Sequence, residues 1–229
     1  MPISAERISI IIPTLNEAAG IRDTLVPLQG LRARGHEVMV VDGGSTDGTP
    51  ELARPLADAV VSSPPGRARQ QNAGASVATG GVLLFLHADT QLPNDADVRV
   101  LDGLRATGRG WGRFDVRLSG AQPALRVVER MMNARSRLTG IATGDQAIFV
   151  RRDWFVGVGG FPEIPLMEDV ALSRTLRWMG RPLCLRERVV TSSRRWEQRG
   201  VWRTIALMWR LRLEFALGAD PARLAERYR

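Results

Sequence analysis

Lysine is absent from this chain of 229 residues, and all 32 of its basic side chains are arginine. A Walker-type phosphate loop is built on a lysine, and so are enzymes that form a lysine Schiff base, so both routes are closed. The single cysteine, Cys184, excludes an internal disulfide and a cysteine-built zinc site. Set in Pro182-Leu183-Cys184-Leu185, it reads as a small core residue. Only two histidines occur, His36 and His87, which leaves little room for histidine-centred acid–base chemistry. His36, within Arg34-Gly35-His36-Glu37, reads as a solvated turn residue. No run of 18 uncharged apolar residues is long enough to span a membrane. Residues 1–6 carry no basic stretch leading into an apolar one, so no secretory signal and a cytoplasmic location are expected. No G-x-G-x-x-G follows a strand, which disfavours a dinucleotide oxidoreductase.

The charge that is present is uneven. Residues 1–110 hold 10 Arg against 12 Asp and Glu, net −2, whereas residues 111–229 hold 22 Arg against 12, net +10. A half this basic points to an anionic partner such as a diphosphate, a membrane surface or nucleic acid, unless it is simply a solvated face. Nucleic acid is disfavoured because no recognition motif is present and aromatics make up only 6% of the chain, too few for a stacking platform.

Two apolar runs end abruptly in polar residues: Ile12-Pro13-Thr14-Leu15-Asn16-Glu17 and Val41-Asp42-Gly43-Gly44-Ser45-Thr46-Asp47-Gly48-Thr49. Each reads as a buried parallel strand. Ligands of open α/β sheets bind beyond the carboxyl ends of the strands, so Asn16, Glu17, Asp42, Ser45 and Asp47 are expected on one rim. Gly43 and Gly44 would let a ligand approach the backbone, and Ser45 or Thr46 could cap a helix. Asp47 also suits a turn role, while Asp42 at the end of a buried strand calls for a partner.

Periodicity places strands at 7–12, 37–41, 58–62 and 82–86, with helices at 18–31, 49–57 and 67–77. Pro27 is expected to kink the first helix or end it early, and Gly80-Gly81 to close the third. Strands separated by helices imply a parallel sheet with right-handed crossovers. Further on, residues 113–118 alternate like a strand with one wet face. Helices are expected at 124–138, 168–179 and 201–217, and strands at 146–150 and 188–191. The second half reads as a completion of the first sheet, within one domain spanning 1–229.

The ordered set of segments resembles glycosyltransferase family 2, of the small stand-alone bacterial kind. The segments are the two strand ends above, Gly66-Arg67-Ala68-Arg69-Gln70-Gln71-Asn72-Ala73-Gly74, Phe85-Leu86-His87-Ala88-Asp89-Thr90, Gly159-Gly160-Phe161 and Met167-Glu168-Asp169. The resemblance implies an α/β GT-A fold, like that of nucleotide-diphospho-sugar transferases: a central, mostly parallel sheet flanked by helices. Residues 1–93 would form the nucleotide-binding half, 94–197 the acceptor-binding half and 198–229 a helical extension. It also implies sugar transfer from a nucleotide-diphosphate donor, uridine-linked, to an acceptor hydroxyl with inversion at the anomeric carbon. The donor side would comprise Pro13, Thr14, Asn16, Glu17, Asp42, Gly43, Ser45, Asn72, His87, Ala88 and Asp89.

The residues themselves carry part of this reading. Arg67 and Arg69, in the first turn of a helix, can present guanidinium forks to phosphate oxygens beside free backbone N–H groups, although solvation is the competing reading. His87 and Asp89, two apart at a strand end, can face one ligand. Similar enzymes place an Asp-X-Asp there that holds Mg²⁺ or Mn²⁺; the histidine in the first position favours Mn²⁺ over Mg²⁺, which prefers oxygen ligands. Buried core histidine is the competing reading. Glu168 and Asp169 at a helix N-terminus are favourable for stability alone; by resemblance Asp169 is the general base and Glu168 its neighbour in acceptor binding. A base is needed because a sugar hydroxyl is a poor nucleophile. Gly144, Asp145 and Gln146 are expected on the acceptor side, together with Arg194, Arg195 and Trp196. The acceptor itself is open among small molecules, lipids and peptides. Trp202, Ile205, Trp209, Leu213 and Ala216 share one face of the terminal helix. That face suits docking on the sheet or on a second copy of the chain; a basic amphipathic helix also suits the inner face of a membrane. Nucleotidyl transfer is a rival chemistry, but it usually wants a glycine-rich basic loop where Thr14-Leu15-Asn16-Glu17 stands.

Overall fold

The computed structural model describes residues 4–228. Residues 1–3, part of the segment read for a signal, lie outside the described residues, as do Arg229 and the side chains of Ser4, Ala5 and Arg195. The strands are β1 (Ser4–Thr14), β2 (Glu37–Asp42), β3 (Ala59–Ser62), β4 (Gly80–Phe85), β5 (Thr90–Gln91), β6 (Trp111–Leu118), β7 (Phe149–Arg151) and β8 (Leu183–Thr191). They form a single sheet in the order β3-β2-β1-β4-β7-β6-β8-β5. β1, β2, β3 and β4 pair in parallel, and so do β6 and β8. β7 runs antiparallel between β4 and β6, and β5 antiparallel to β8.

The parallel strands are covered on both faces, which is why they read as unbroken apolar runs rather than as alternations. Ile8, Ile10 and Ile12 pack with Val38, Val40 and Leu84 on one side. Ile11, Met39, Val41 and Phe85 face the other, under the helix Arg67–Val77. That helix lies hard against the sheet at Gly74, where an added Cβ would sit 2.6 Å from Ile11 Cγ2 and 2.9 Å from Val41 Cγ2.

The break expected at Pro27 is present: a 3₁₀ turn, Val26–Leu28, divides the 18–31 segment into Ile21–Leu25 and Gln29–Ala33. Other expectations need correction. Gly80 and Gly81 start β4 rather than ending a helix; an added Cβ on Gly80 would meet Arg7 O at 2.6 Å, so β1 and β4 approach too closely there for any side chain. β6 has no wet face. Its polar residues Arg113 and Asp115 are buried beneath the helix Pro123–Thr139, where Arg113 pairs with Asp115 and Asp115 with Arg137 (2.6 Å). His36 is buried, accepting from Ile8 N and touching Asp97 at 2.9 Å. Cys184 is only half-buried, on β8. Helices Ala96–Thr107 and Pro221–Tyr228 stand where the pattern reading expected none.

The terminal helix, Val201–Ala216, does not dock its aromatic face on the sheet. Trp202 is 71% exposed, Trp209 61% and Leu213 62%, while Val201, Thr204 and Leu211 form the inward seam. The helix packs at the rim, with Leu211 against Leu166, Met167 and Leu224. Among the described residues no helix is long and apolar enough to cross a membrane.

Gly74→Ala is expected to lower stability by about 1–3 kcal/mol through overpacking against β1 and β2, even though alanine is the better helix former by about 1 kcal/mol. Urea denaturation would check this; an unchanged midpoint would show that the helix is not seated on the sheet as described.

Candidate active site

β1 and β2 end at the same level, with Thr14 opposite Asp42 in register. Their two exit loops are stitched together by short polar side chains. Asn16 N donates to Ser45 Oγ (2.8 Å), Thr46 N to Asn16 Oδ1 (3.0 Å), Ala18 N to Asp47 Oδ2 (2.9 Å) and Glu17 N to Thr49 Oγ1 (2.9 Å). Asp42 is buried, and its carboxylate accepts from Gly44 N and Ser45 N (both 2.9 Å) and from the Ser45 hydroxyl, with Thr14 Oγ1 at 3.4 Å. The partner Asp42 calls for is therefore its own loop. The Thr49 hydroxyl holds the Asp47 carboxyl below its ordinary pKa.

Beyond these strand ends lies a crevice of about 720 Å³. From the first half of the chain it is lined by Pro13, Thr14, Glu17, Arg67, Gln70, His87, Ala88 and Asp89; from the second by Thr143, Gly144, Asp145, Asp169, Arg194, Trp196, Met208 and Arg212. Asp89 is exposed, at the end of the loop that follows β4. That loop is pinned on three sides. Leu86 N donates to Ile11 O (3.0 Å), the Thr24 hydroxyl bonds to Ala88 O, and Ser192 N donates to Asp89 O (3.2 Å). Glu17 lies close by, its pKa raised by burial and by the negative charge of Asp89 and eased by Arg194.

Gly144 is where the two halves meet. An added Cβ there would run into His87 Nε2, so the imidazole rests directly on the glycine. Gly144 N also donates to Asp169 Oδ2 (2.7 Å), and Val170 N to Asp169 Oδ1 (2.7 Å). Burial and the nearby Arg67 push the His87 pKa down, against the pull of Asp89, Asp145 and Asp169. The ring is thus favoured as the neutral imidazole, the form that binds metals.

Glu168 sits behind this surface, 3% exposed. One carboxylate oxygen meets Arg67 Nε at 2.9 Å, while the other is buried without a hydrogen-bond partner. Burial outweighs the arginine, and the pKa rises from 4.5 to about 7.

Other expected residues stand outside the crevice. Asn16, Asp42, Gly43 and Ser45 shape the rim loops rather than lining it. Arg69 is exposed and pairs with Glu163 at 3.1 Å. Asn72 clamps the backbone of Phe161 in both directions (2.8 and 2.9 Å). Gln146 is fully buried, capping the Gly144–Gln146 turn through Thr143. Trp196 lines the crevice and packs against the core as well. Of the lining residues named above, four lie outside the set expected from sequence: Gln70, Thr143, Met208 and Arg212. Among these, Gln70 alone had a signal, one helical turn from Arg67 on the same face; its amide donates to Thr14 O and Val41 O (both 2.8 Å).

No group of three or more His, Cys, Asp or Glu among the described residues is arranged to hold a metal ion. His87 and Asp89 present two donors at most. Two protein ligands completed by substrate phosphates is a usual arrangement for Mg²⁺, and the Glu17–Asp89 repulsion is the kind of charge a cation relieves. The donor set therefore fits an ion shared with a phosphorylated ligand and does not fit an ion held by protein alone.

An α/β sheet with parallel strands ending at an acidic and arginine-lined crevice is the GT-A arrangement. Solved structures share it. The fold superposes on S. aureus TarS 1-349 with a TM-score of 0.67 at 18% identity, over 82% of this chain and 60% of that one. A mannosyltransferase from Pyrobaculum calidifontis, solved with GDP-Man and Mn²⁺, gives a TM-score of 0.62 at 25% identity, over 80% of this chain and 56% of that one. The chain belongs to glycosyl transferase family 2, whose profile matches residues 9–151. Among curated relatives it is 36% identical over 91 residues to glycosyltransferase AglE of Haloferax volcanii, covering 36% of this chain and 30% of that protein. It is 37% identical over 97 residues to a PGL/p-HBAD biosynthesis glycosyltransferase of Mycobacterium tuberculosis, covering 39% of this chain and 38% of that one. The aligned stretches thus span about a third of the length of these relatives.

The raised pKa of Glu168 makes a stability prediction. Its favourable contribution is fully present below the ordinary value of 4.5 and is lost as the pH rises through about 7. Glu168→Gln should remove that loss, so the variant gains stability relative to wild type across this window, by on the order of 2–3 kcal/mol at most. Chemical denaturation of both proteins at pH 5 and pH 8 measures the difference, and parallel curves would overturn the assignment.

Proposed function

We propose that this protein transfers a sugar from a nucleotide diphosphate, uridine-linked, to an acceptor hydroxyl in one displacement that inverts the anomeric carbon. The observation that carries the reading is the convergence of Asp89 from the first half with Asp145 and Asp169 from the second on one crevice that also holds Arg67 and Arg194. Family membership supports it, as do the ligands of the fold neighbours: TarS was solved with UDP and with UDP-GlcNAc, and the Pyrobaculum enzyme with GDP-Man.

The loops after β1 and β2, stitched through Asn16, Ser45 and Asp42, form the wall for the nucleoside. Arg67 and Arg194 meet the charge that grows on the diphosphate as it leaves. A divalent ion, when bound, would be held by Asp89 with His87 and would neutralise part of that same charge. Asp169 stands on the far side. Each of its oxygens accepts one backbone N–H, which fixes the carboxylate while leaving lone pairs for an acceptor hydroxyl. The acceptor oxygen attacks the anomeric carbon, the bond from that carbon to the phosphate oxygen breaks with its electron pair going to the nucleotide, and the hydroxyl proton passes to Asp169. Glu168 and Arg67 brace this arrangement through their ion pair, and Trp196 walls the acceptor end.

A UDP-sugar with Mn²⁺ is expected to raise the melting temperature of the wild-type protein. Asp89→Ala should shrink that shift. Asp169→Asn should keep it while transfer falls by roughly 10²–10⁴-fold, the usual worth of a general base. Wild-type transfer by Asp169→Asn would remove Asp169 from the role.

A further inference from the structure

Near the acceptor end of the crevice two guanidinium groups feel each other's charge, and among the described residues neither forms an ion pair. Arg135 comes from the helix Pro123–Thr139 and Arg212 from the helix Val201–Ala216. Arg135 Nε and Nη2 are both cut off from solvent without a hydrogen-bond partner, and so is Arg212 Nε. Burial and the charge of Arg212 lower the Arg135 pKa to about 10. Arg212 lines the crevice beside Asp145 and Asp169. Those carboxylates are engaged elsewhere, Asp169 with two backbone amides and Asp145 with the Thr143 hydroxyl (2.5 Å), and neither forms an ion pair with these arginines.

The rest of the chain shows what such a group ordinarily finds. Arg32 grips Asp58 by the same edge, Nε to Oδ2 at 3.1 Å and Nη2 to Oδ1 at 2.9 Å. Arg34 holds Asp97 likewise, and the wholly buried Arg113 is met by Asp115 and Ser136. An unpaired side-on edge matches two oxygens of a carboxylate or phosphate. Asp145 and Asp169 offset part of the charge on Arg135 but bond to neither arginine, so the two guanidiniums retain positive charge that suits a phosphate dianion. In the proposed reading Arg67 and Arg194 take the diphosphate of the donor, and Arg212 lines the same crevice as Asp145 and Asp169, assigned to the acceptor.

We propose that Arg135 and Arg212 form a subsite for a phosphate group carried by the acceptor. The proposal rests on the reading that the acceptor lies against Asp169. The phosphate could belong to a soluble sugar phosphate or to a lipid headgroup. The lipid source has its own support: on the helix that carries Arg212, Trp202, Trp209 and Leu213 stand exposed beside Arg203 and Arg210, a combination suited to an anionic membrane surface.

The test is calorimetric titration of methyl phosphate and dodecyl phosphate, at constant ionic strength, into wild type, Arg135→Met and Arg212→Met, with UDP-sugar binding measured on each. Wild type should bind phosphate, and each variant should bind it at least tenfold more weakly while holding the UDP-sugar within twofold of wild type. Arg135→Met should melt no lower than wild type without ligand, because it removes an unpaired buried charge; this separates lost binding from lost folding. Much tighter binding of the dodecyl ester would identify a lipid source and equal binding a soluble one, and the subsite stands in both cases. Equal phosphate affinity in all three proteins, or none in wild type, overturns the subsite. Failure of the UDP-sugar to bind wild type would instead sink the donor reading and leave the phosphate result legible.

Discussion

The antiparallel seam between β4 and β7 is the constraint on which the site depends. β4 belongs to the parallel sheet of the first half, and β7 enters beside it from the second with Val82 opposite Arg151 and Leu84 opposite Phe149. Because the strands run in opposite directions, the exit of β4 lies beside the entry of β7. Phe85 N donates to Ile148 O at 2.8 Å just past the paired residues. The 86–89 loop and the Gly144–Gln146 turn are thereby forced face to face, with His87 lying on Gly144. A parallel neighbour in that place would have put its entry loop at the opposite end of the sheet, and the two acidic sets would never have met.

Charge placement follows from that seam. The rim loops neutralise their own acids: Asp42 and Asp47 commit their oxygens to backbone amides and hydroxyls of residues 18 and 44–49. Such carboxylates hold loops in shape and leave the crevice wall to others. Among the described residues the Asp89 carboxylate has no comparable set of partners, only a 3.4 Å approach of the Thr90 hydroxyl. Glu17 stays near it at an electrostatic cost. The contrast separates acids whose oxygens are tied up inside the loops from acids left with few partners at the crevice, and it rests on hydrogen bonds rather than on position in a motif.

The reading from sequence went furthest where local chemistry decides the outcome. The bounds of the helices Arg67–Val77 and Glu168–Met179 coincide with expectation. Gly66, at φ 132°, takes a backbone angle that other residues rarely adopt, and it marks the first of those starts. Strand ends were legible because a buried apolar run that stops in Asn-Glu or Asp-Gly has to bring its chain to the surface at that point. What could not be read is what depends on a distant partner. The alternation of β6 signals one wet face until a helix supplies Ser136 and Arg137 to cover Arg113 and Asp115. His36 looks like a turn residue until Asp97 and Arg34 close over it. Likewise nothing near Arg135 in the chain announces that the charge of Arg212 will reach it, since the two stand on helices far apart in sequence.

The absence of lysine then takes on a physical meaning. A crevice lined by Glu17, Asp89, Asp145 and Asp169 repels every phosphorylated ligand unless cations are interleaved at fixed positions. A lysine ammonium is a mobile point charge on a flexible stem, whereas a guanidinium presents a rigid fork that can serve a protein carboxylate with one edge and keep another for a ligand. Arg67 does this already: its Nε is committed to Glu168, yet the residue lines the crevice with its side chain 40% exposed. Glu168 is the cost of that arrangement, a carboxylate kept in the dark to aim an arginine, and its raised pKa is the trace the arrangement leaves. In the Arg67–Glu168 pair, acid and base are therefore coupled, one member buried to orient the other.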